Sequence, residues 1–222
     1  MDRLFVDIKF TSFTADAKLI SIGLVDESGK HKFYAESSDT WESLDVSEFT
    51  QREVIPHLEG DASRIPVATL KKYLTAWIRG LRVPVMLATD SSQSDWPWIE
   101  TLLKPHWPQN LARDPLLLTT DYLYEFEAFQ TALEAAFASG LRRHHALDDA
   151  LANRLAWYTS GGDIRDAGGL PMLKARKRKD AEEVQAGHRD PRSLLVVGKG
   201  DLKEASFTLN PKSEFKWNGG EW

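Results

Sequence analysis

The chain has 222 residues, a formal net charge of −5 and no cysteine. That length suits one sizeable domain with an appendage, or two small domains. The lack of cysteine excludes disulfides, thiolate catalysis and cysteine-ligated zinc. No apolar run reaches the roughly eighteen residues of a membrane-spanning helix, and the N-terminus lacks the apolar core of a signal peptide. We therefore expect a cytoplasmic protein without a membrane partner.

Apolar patterning predicts an α/β fold. Three consecutive apolar runs predict a meander of strands at the start of the chain, and two more strands follow, each between helices. The predicted strands are residues 4–8, 19–25, 32–36, 84–88 and 116–119. The predicted helices are residues 47–58, 69–81, 96–103, 126–138 and 150–157. Hairpins followed by alternating strands and helices indicate a mixed five-stranded sheet flanked by helices.

A change of composition divides the chain into two parts. The stretch TSGG at residues 159–162 is typical of a linker, so we predict a folded domain over residues 1–158 and a flexible, basic C-terminal extension over residues 159–222. The extension holds 12 basic and 10 acidic residues, whereas the rest of the chain holds 16 and 23. Its basic run at residues 174–179 is typical of a solvated segment, and the alternative is that it contacts phosphate groups.

The most informative motif is HHALDD at residues 144–149. His144 precedes Asp149 by five residues at the start of a predicted helix, so one short element presents an imidazole and a carboxylate. In a hydrolytic metal site the carboxylate holds a divalent cation, and the imidazole takes a proton from the attacking water. The structural alternative is a solvated His144, a surface His145, and carboxylates that favour the N-terminus of a helix.

Two further aspartates lie on elements that are distant in sequence. Asp7 lies near the end of the first predicted strand, and Asp95 begins the helix after the fourth. A mixed sheet can bring these positions and Asp149 to one edge, where converging carboxylates suit Mg²⁺ or Mn²⁺. Asp95 could instead be the N-cap of its helix. Asp7 could be neutralised by Lys9, which shares its face of the strand.

Together these residues give the chain a resemblance to the DEDDh 3′–5′ exonucleases of the RNase H-like fold, the superfamily of RNase T, oligoribonuclease and the proofreading subunit of the bacterial replicative polymerase. The first motif of that family, D-x-E, corresponds to DIK at residues 7–9, the second to Asp95, and the third, H-x-x-x-x-D, to His144 and Asp149. The phrases DIKFTSF and LISIGLVDESGKHKFYAE are most similar to a bacterial and mycobacterial group of RNase T-like exoribonucleases. The resemblance covers residues 3–158.

The resemblance implies a metal-dependent hydrolase that acts at the 3′ ends of single-stranded RNA or short oligonucleotides. Two cations, Mg²⁺ or Mn²⁺, would hold the scissile phosphate and activate water. Asp7 would bridge both cations, Asp95 and Asp149 would complete the ligand sets, and His144 would be the general base. The resemblance also implies a homodimer, for which the sequence locates no interface.

Lys9 departs from the family pattern, which has a glutamate ligand at this position. A protonated lysine has no acceptor and cannot ligate a cation. One interpretation is a degenerate site, in which the ammonium stands where one metal would be; this gives a catalytically impaired RNase H-like module that binds nucleic acid or a partner protein. In a second, another carboxylate such as Asp90, Asp148 or Glu36 substitutes, although Asp90 is more simply a turn residue. In a third, the lysine is an introduced change in an otherwise active enzyme.

Aromatic residues close to the motifs are candidate substrate contacts. Phe10 directly follows the first motif, and Trp96 follows Asp95. Stacking of a base on an aromatic ring tolerates any base sequence, so either ring could hold a terminal base. The alternative is that both rings pack in the core.

Overall fold

The computed structural model describes residues 1–118 and 123–162. Residues 163–222, nearly all of the predicted extension, lie outside the described residues, and so does Thr119 at the end of the fifth predicted strand. Within the described ranges, no helix has the length and apolar character needed to cross a bilayer.

The described chain alternates strands and helices after an opening meander. The strands are β1 (Asp2–Phe10), β2 (Leu19–Asp26), β3 (Lys32–Ser37), β4 (Arg64–Ile65), β5 (Val85–Thr89) and β6 (Leu116–Leu117). The helices are α1 (Glu48–Glu53), α2 (Val67–Gly80), α3 (Ser92–Leu103), α4 (Leu123–Ala138) and α5 (Ala146–Thr159). Short 3₁₀ turns lie at Ser43–Asp45, Ile55–His57 and Asp61–Ser63.

The strands form one mixed sheet in the order β4-β3-β2-β1-β5-β6. β1, β2 and β3 are antiparallel neighbours, whereas β5 runs parallel to β1 and β6 parallel to β5. The predicted α/β class and mixed sheet are confirmed. The predicted count of five strands is wrong, because β4 adds a sixth strand parallel to β3 at the outer edge. With two residues before Pro66, β4 is too short to show an alternating pattern in the sequence.

Helices cover both faces of the sheet, and β1 contributes to both apolar cores because its side chains alternate between faces. Leu4 and Val6 pack in one core together with apolar residues of α2 and α3. Phe5 packs in the other core with residues of α4 and α5. Asp7 and Lys9 follow Phe5 at two-residue intervals, so they face α5.

The helix predicted over residues 47–58 is divided in two. α1 ends at Glu53, and a separate 3₁₀ turn follows at Ile55–His57. Pro56 explains the break, because proline lacks the N–H group that the interior of an α-helix needs.

Candidate active site

Lys9 forms a buried bridge between two of the predicted site residues. Its Nζ lies 2.9 Å from Oδ2 of Asp7 and 2.5 Å from Oδ2 of Asp149. Asp7 and Lys9 meet because they are two residues apart on β1 and point to the same face, as their spacing predicted. Asp149 reaches them from the first turn of α5. The three side chains are only 12% or 13% exposed, so water screens these pairs much less than it screens a surface salt bridge.

The loop before α5 holds Asp149 in place. The backbone N–H of His144 donates to both carboxylate oxygens of Asp149, at 3.1 Å each. His144 has a φ of 66°, a left-handed conformation that residues other than glycine rarely adopt. Backbone outliers of this kind cluster at functional sites, where the surrounding structure holds them.

A glycine on β2 explains how closely α5 approaches the sheet. Gly23 is the register partner of Asp7, and a Cβ atom at this position would lie 2.3 Å from the backbone nitrogen of Leu147. Only a residue without a side chain leaves room for this approach. The contact brings the first turn of α5, with Asp149, over β1 and Lys9.

Asp95 lies in the first turn of α3 and is buried. Because α3 begins at Ser92 rather than at Trp96, with Ser91 as its N-cap residue, the alternative of an Asp95 N-cap is wrong. The Thr89 hydroxyl donates to Oδ2 of Asp95. Burial raises the pKa of Asp95 to about 7, although the hydrogen bond from Thr89 opposes this shift.

A fourth carboxylate, Asp90, joins the site; the sequence favours a turn residue at this position, with substitution for the missing glutamate as the alternative. Asp90 directly follows β5 and interacts electrostatically with Asp7, Lys9 and Asp95. Burial raises the pKa of Asp90, and the neighbouring Lys9 and the Asn153 side chain on α5 oppose this shift. The sequence feature that points to Asp90 as a site residue is its position. It follows the carboxyl end of a strand parallel to β1, and functional residues of parallel sheets commonly lie at such ends.

We call Asp7, Asp90, Asp95 and Asp149 the aspartate cluster. Burial raises the pKa of Asp7 well above its usual range; Lys9 opposes that shift, and the other three carboxylates add to it. Burial lowers the pKa of Lys9, but Asp7 and Asp149 outweigh this effect and hold it above its ordinary value. Lys9 is therefore protonated at neutral pH. Among the described residues, it is the only cation in direct contact with these carboxylates.

His144 lies at the edge of the aspartate cluster and is partly buried. Its ring packs edge-on against Phe49, with the ring centroids 5.2 Å apart. Burial and the neighbouring Lys9 lower the pKa of His144. The neutral imidazole therefore predominates at pH 7, and this is the form that can accept a proton.

The neighbouring histidine has a structural role. His145 is buried, so the expectation of a surface residue is wrong. Its ring stacks on Tyr34 of β3, with the centroids 4.4 Å apart. Its Nδ1 accepts the backbone N–H of Asp148 at 3.3 Å and so caps α5.

We expect His145 to make the stability of the protein depend on pH. Burial and the Arg142 guanidinium lower its pKa in the folded chain, so its stabilising contribution is complete above about pH 6.5 and is lost as the pH falls below that value. Urea unfolding at pH 5 and pH 7.5 should show a larger loss at low pH for the native chain than for His145→Asn, which keeps a capping oxygen. Equal losses in the two proteins would contradict this assignment.

Two of the carboxylates considered as substitutes for a glutamate at position 9 are engaged elsewhere. Asp148 accepts hydrogen bonds from the backbone N–H and the Nε of Arg142, at 3.0 and 2.7 Å. Glu36 accepts the backbone N–H of Glu59 at 2.6 Å. Of the three substitutes considered, only Asp90 belongs to the aspartate cluster.

The two predicted aromatic contacts, Phe10 and Trp96, pack against the apolar core and remain partly exposed. Phe10 lies edge-on to Phe13, with the centroids 5.1 Å apart, and Phe13 is 83% exposed. Trp96 lies against Trp107 at 5.8 Å. Core packing is thus confirmed for both rings, and their stacking on a base stays a prediction.

The donor set, as these side chains stand, does not fit a centre of two cations. Within residues 1–118 and 123–162, no three His, Asp or Glu side chains are grouped so that they could hold a metal ion. The ammonium of Lys9 lies between Asp7 and Asp149 and binds the oxygen atoms that would otherwise face a cation. Lysine at position 9 also lacks the ligand oxygens that a glutamate would supply.

Comparison with known proteins gives no family assignment. No protein-family model matches the sequence, and no curated protein matches it. The resemblance to exonucleases therefore rests on the sequence motifs alone.

Proposed function

We propose that this chain is a 3′–5′ exonuclease of the DEDDh type, with an RNase H-like fold, that acts on single-stranded nucleic acid. The observation that carries the proposal is the convergence of Asp7, Asp95 and Asp149 beside His144, from three elements that are far apart in sequence. The carboxyl ends of the parallel strands β1 and β5 meet at this edge, and open α/β sheets commonly bind their ligands at such an edge.

The chemistry of the individual residues suits phosphodiester hydrolysis. His144 would take the proton of the attacking water, because its neutral imidazole lies at the edge of the aspartate cluster. Phe10 would stack on the terminal base. The preference for RNA over DNA, and for Mg²⁺ or Mn²⁺ as cofactor, rests on the motif resemblance.

The proposal is tested by single-turnover degradation of a labelled oligoribonucleotide in the presence of Mg²⁺ or Mn²⁺. The proteins compared are the native chain, His144→Ala, Lys9→Glu and the double variant. Loss of a general base is expected to slow hydrolysis by about 10² to 10⁴-fold. We therefore expect His144→Ala to reduce the rate of hydrolysis by at least about 10²-fold. The reduction should appear both in the native chain and in the Lys9→Glu variant.

His106→Ala is the matched control, because His106 is an exposed histidine that follows α3. It should leave the rate unchanged. If the native chain leaves the substrate intact while it is folded by circular dichroism, the proposal that this chain is an active exonuclease fails.

A second candidate function is a module that binds nucleic acid or a partner protein without hydrolysing it. The observation that favours it is the Lys9 bridge, which engages both Asp7 and Asp149. Fluorescence anisotropy with a labelled oligonucleotide tests the nucleic-acid form of this candidate. Binding by the native chain, with hydrolysis only after Lys9→Glu, would support the module over the active enzyme.

A further inference from the structure

The Lys9 ammonium carries out two tasks that a bound cation would perform in this site. It neutralises carboxylate charge, and it joins β1 to α5 by contacting Asp7 at 2.9 Å and Asp149 at 2.5 Å. A divalent cation shared by two carboxylates also neutralises their charge, and it joins the two elements by binding oxygen atoms of both carboxylates. The ammonium and a bridging metal therefore compete for the same oxygen atoms.

Asp7 is the carboxylate that depends most on Lys9. Asp149 also accepts hydrogen bonds from the backbone N–H of His144. Oδ2 of Asp7, in contrast, is buried and takes part in no hydrogen bond of good geometry within the described part of the chain. Its contact there is the ion pair with Lys9. A buried carboxylate without a partner is costly, so some cation must accompany Asp7 whenever it is ionised.

We propose that the Lys9 ammonium is a resident cation, which takes the place of one divalent ion and holds the carboxylates of β1 and α5 together without metal. This inference rests on the proposed function for the identity of the site, but it concerns the number of cations bound and not hydrolysis. It follows that the native chain binds one divalent ion fewer than the Lys9→Glu variant.

The experiment is a titration of the full chain with Mn²⁺. Binding is measured by calorimetry and by the electron paramagnetic resonance signal of free Mn²⁺. We expect Lys9→Glu to bind one more Mn²⁺ per chain than the native protein. Lys18→Glu is the matched control, because Lys18 is a partly exposed lysine whose ion pair with Asp45, at 2.7 Å, lies outside the aspartate cluster. This control should bind the same number of ions as the native chain.

Equal Mn²⁺ stoichiometry and affinity for the native chain and a folded Lys9→Glu would overturn the inference. If Lys9→Glu does not fold, Lys9→Met replaces it. Saturating Mn²⁺ should then raise the Tm of Lys9→Met more than that of the native chain, and an equal shift would overturn the inference.

The failure of this inference and the failure of the proposed function give different results. An extra Mn²⁺ in Lys9→Glu without any nuclease activity supports the resident cation and removes the exonuclease. Nuclease activity of the native chain with the same Mn²⁺ stoichiometry as Lys9→Glu supports the exonuclease and removes the resident cation.

Discussion

Lys9→Met is expected to lower the free energy of unfolding by about 3 kcal/mol at pH 8, because removing one partner leaves the other charges of a buried ion pair without compensation. The charges concerned are Asp7 and Asp149, both only 12% exposed. Methionine keeps an unbranched, flexible side chain, so the change in packing is small. Urea denaturation followed by circular dichroism measures the difference.

A second substitution and a surface control separate the charge effect from a general loss of packing. Adding Asp7→Asn to Lys9→Met should recover part of the stability, because it removes one uncompensated charge. Lys18→Met breaks the more exposed pair with Asp45 and should cost at most about 1 kcal/mol. If Lys9→Met costs no more than Lys18→Met, the bridge does not stabilise the fold as described.

Gly23→Ala is expected to cost about 3 kcal/mol of stability, since overpacking against atoms that cannot easily move costs on the order of 1–3 kcal/mol or more. The added Cβ would lie 2.3 Å from the nitrogen and 2.4 Å from the Cα of Leu147, which are backbone atoms of α5. The helix must therefore shift, and Asp149 shifts with it. Thermal unfolding measures the loss of stability.

Gly80→Ala is the matched control for this substitution. Gly80 ends α2, and a Cβ at this position would meet no atom within 4 Å. Alanine is the better helix former by about 1 kcal/mol in a helix interior, so this variant should be neutral or slightly more stable. Similar losses for Gly23→Ala and Gly80→Ala would show that α5 does not constrain position 23.

Local periodicity predicted the parts of the site that lie on one element. The two-residue period of a strand put Asp7 and Lys9 on the same face of β1, and their ion pair is observed at 2.9 Å. The spacing of His144 and Asp149 likewise placed both at the start of one helix, and the structure joins them by a hydrogen bond from backbone to carboxylate. Such contacts depend on one element's geometry, which sequence spacing encodes directly.

Contacts between elements were harder to predict. The sequence favours a turn residue at Asp90 over a substitute ligand, because the interactions of Asp90 with Asp7 and Asn153 depend on how β5 and α5 pack against the sheet. The burial of His145 follows from stacking on Tyr34, which lies far from it in sequence. Tertiary packing of this kind leaves no periodic signal around the residue itself.

We propose that the aspartate cluster and His144 form one site, which removes nucleotides from a 3′ end. The most direct test is a time course of hydrolysis by the native chain and by Lys9→Glu, with Mn²⁺ and one oligoribonucleotide labelled at either its 5′ or its 3′ end. We expect the 5′-labelled strand to shorten one nucleotide at a time and the 3′-labelled strand to release its labelled nucleotide at once, both slowed by His144→Ala. Internal cleavage, or an intact substrate with both folded proteins, would contradict this claim.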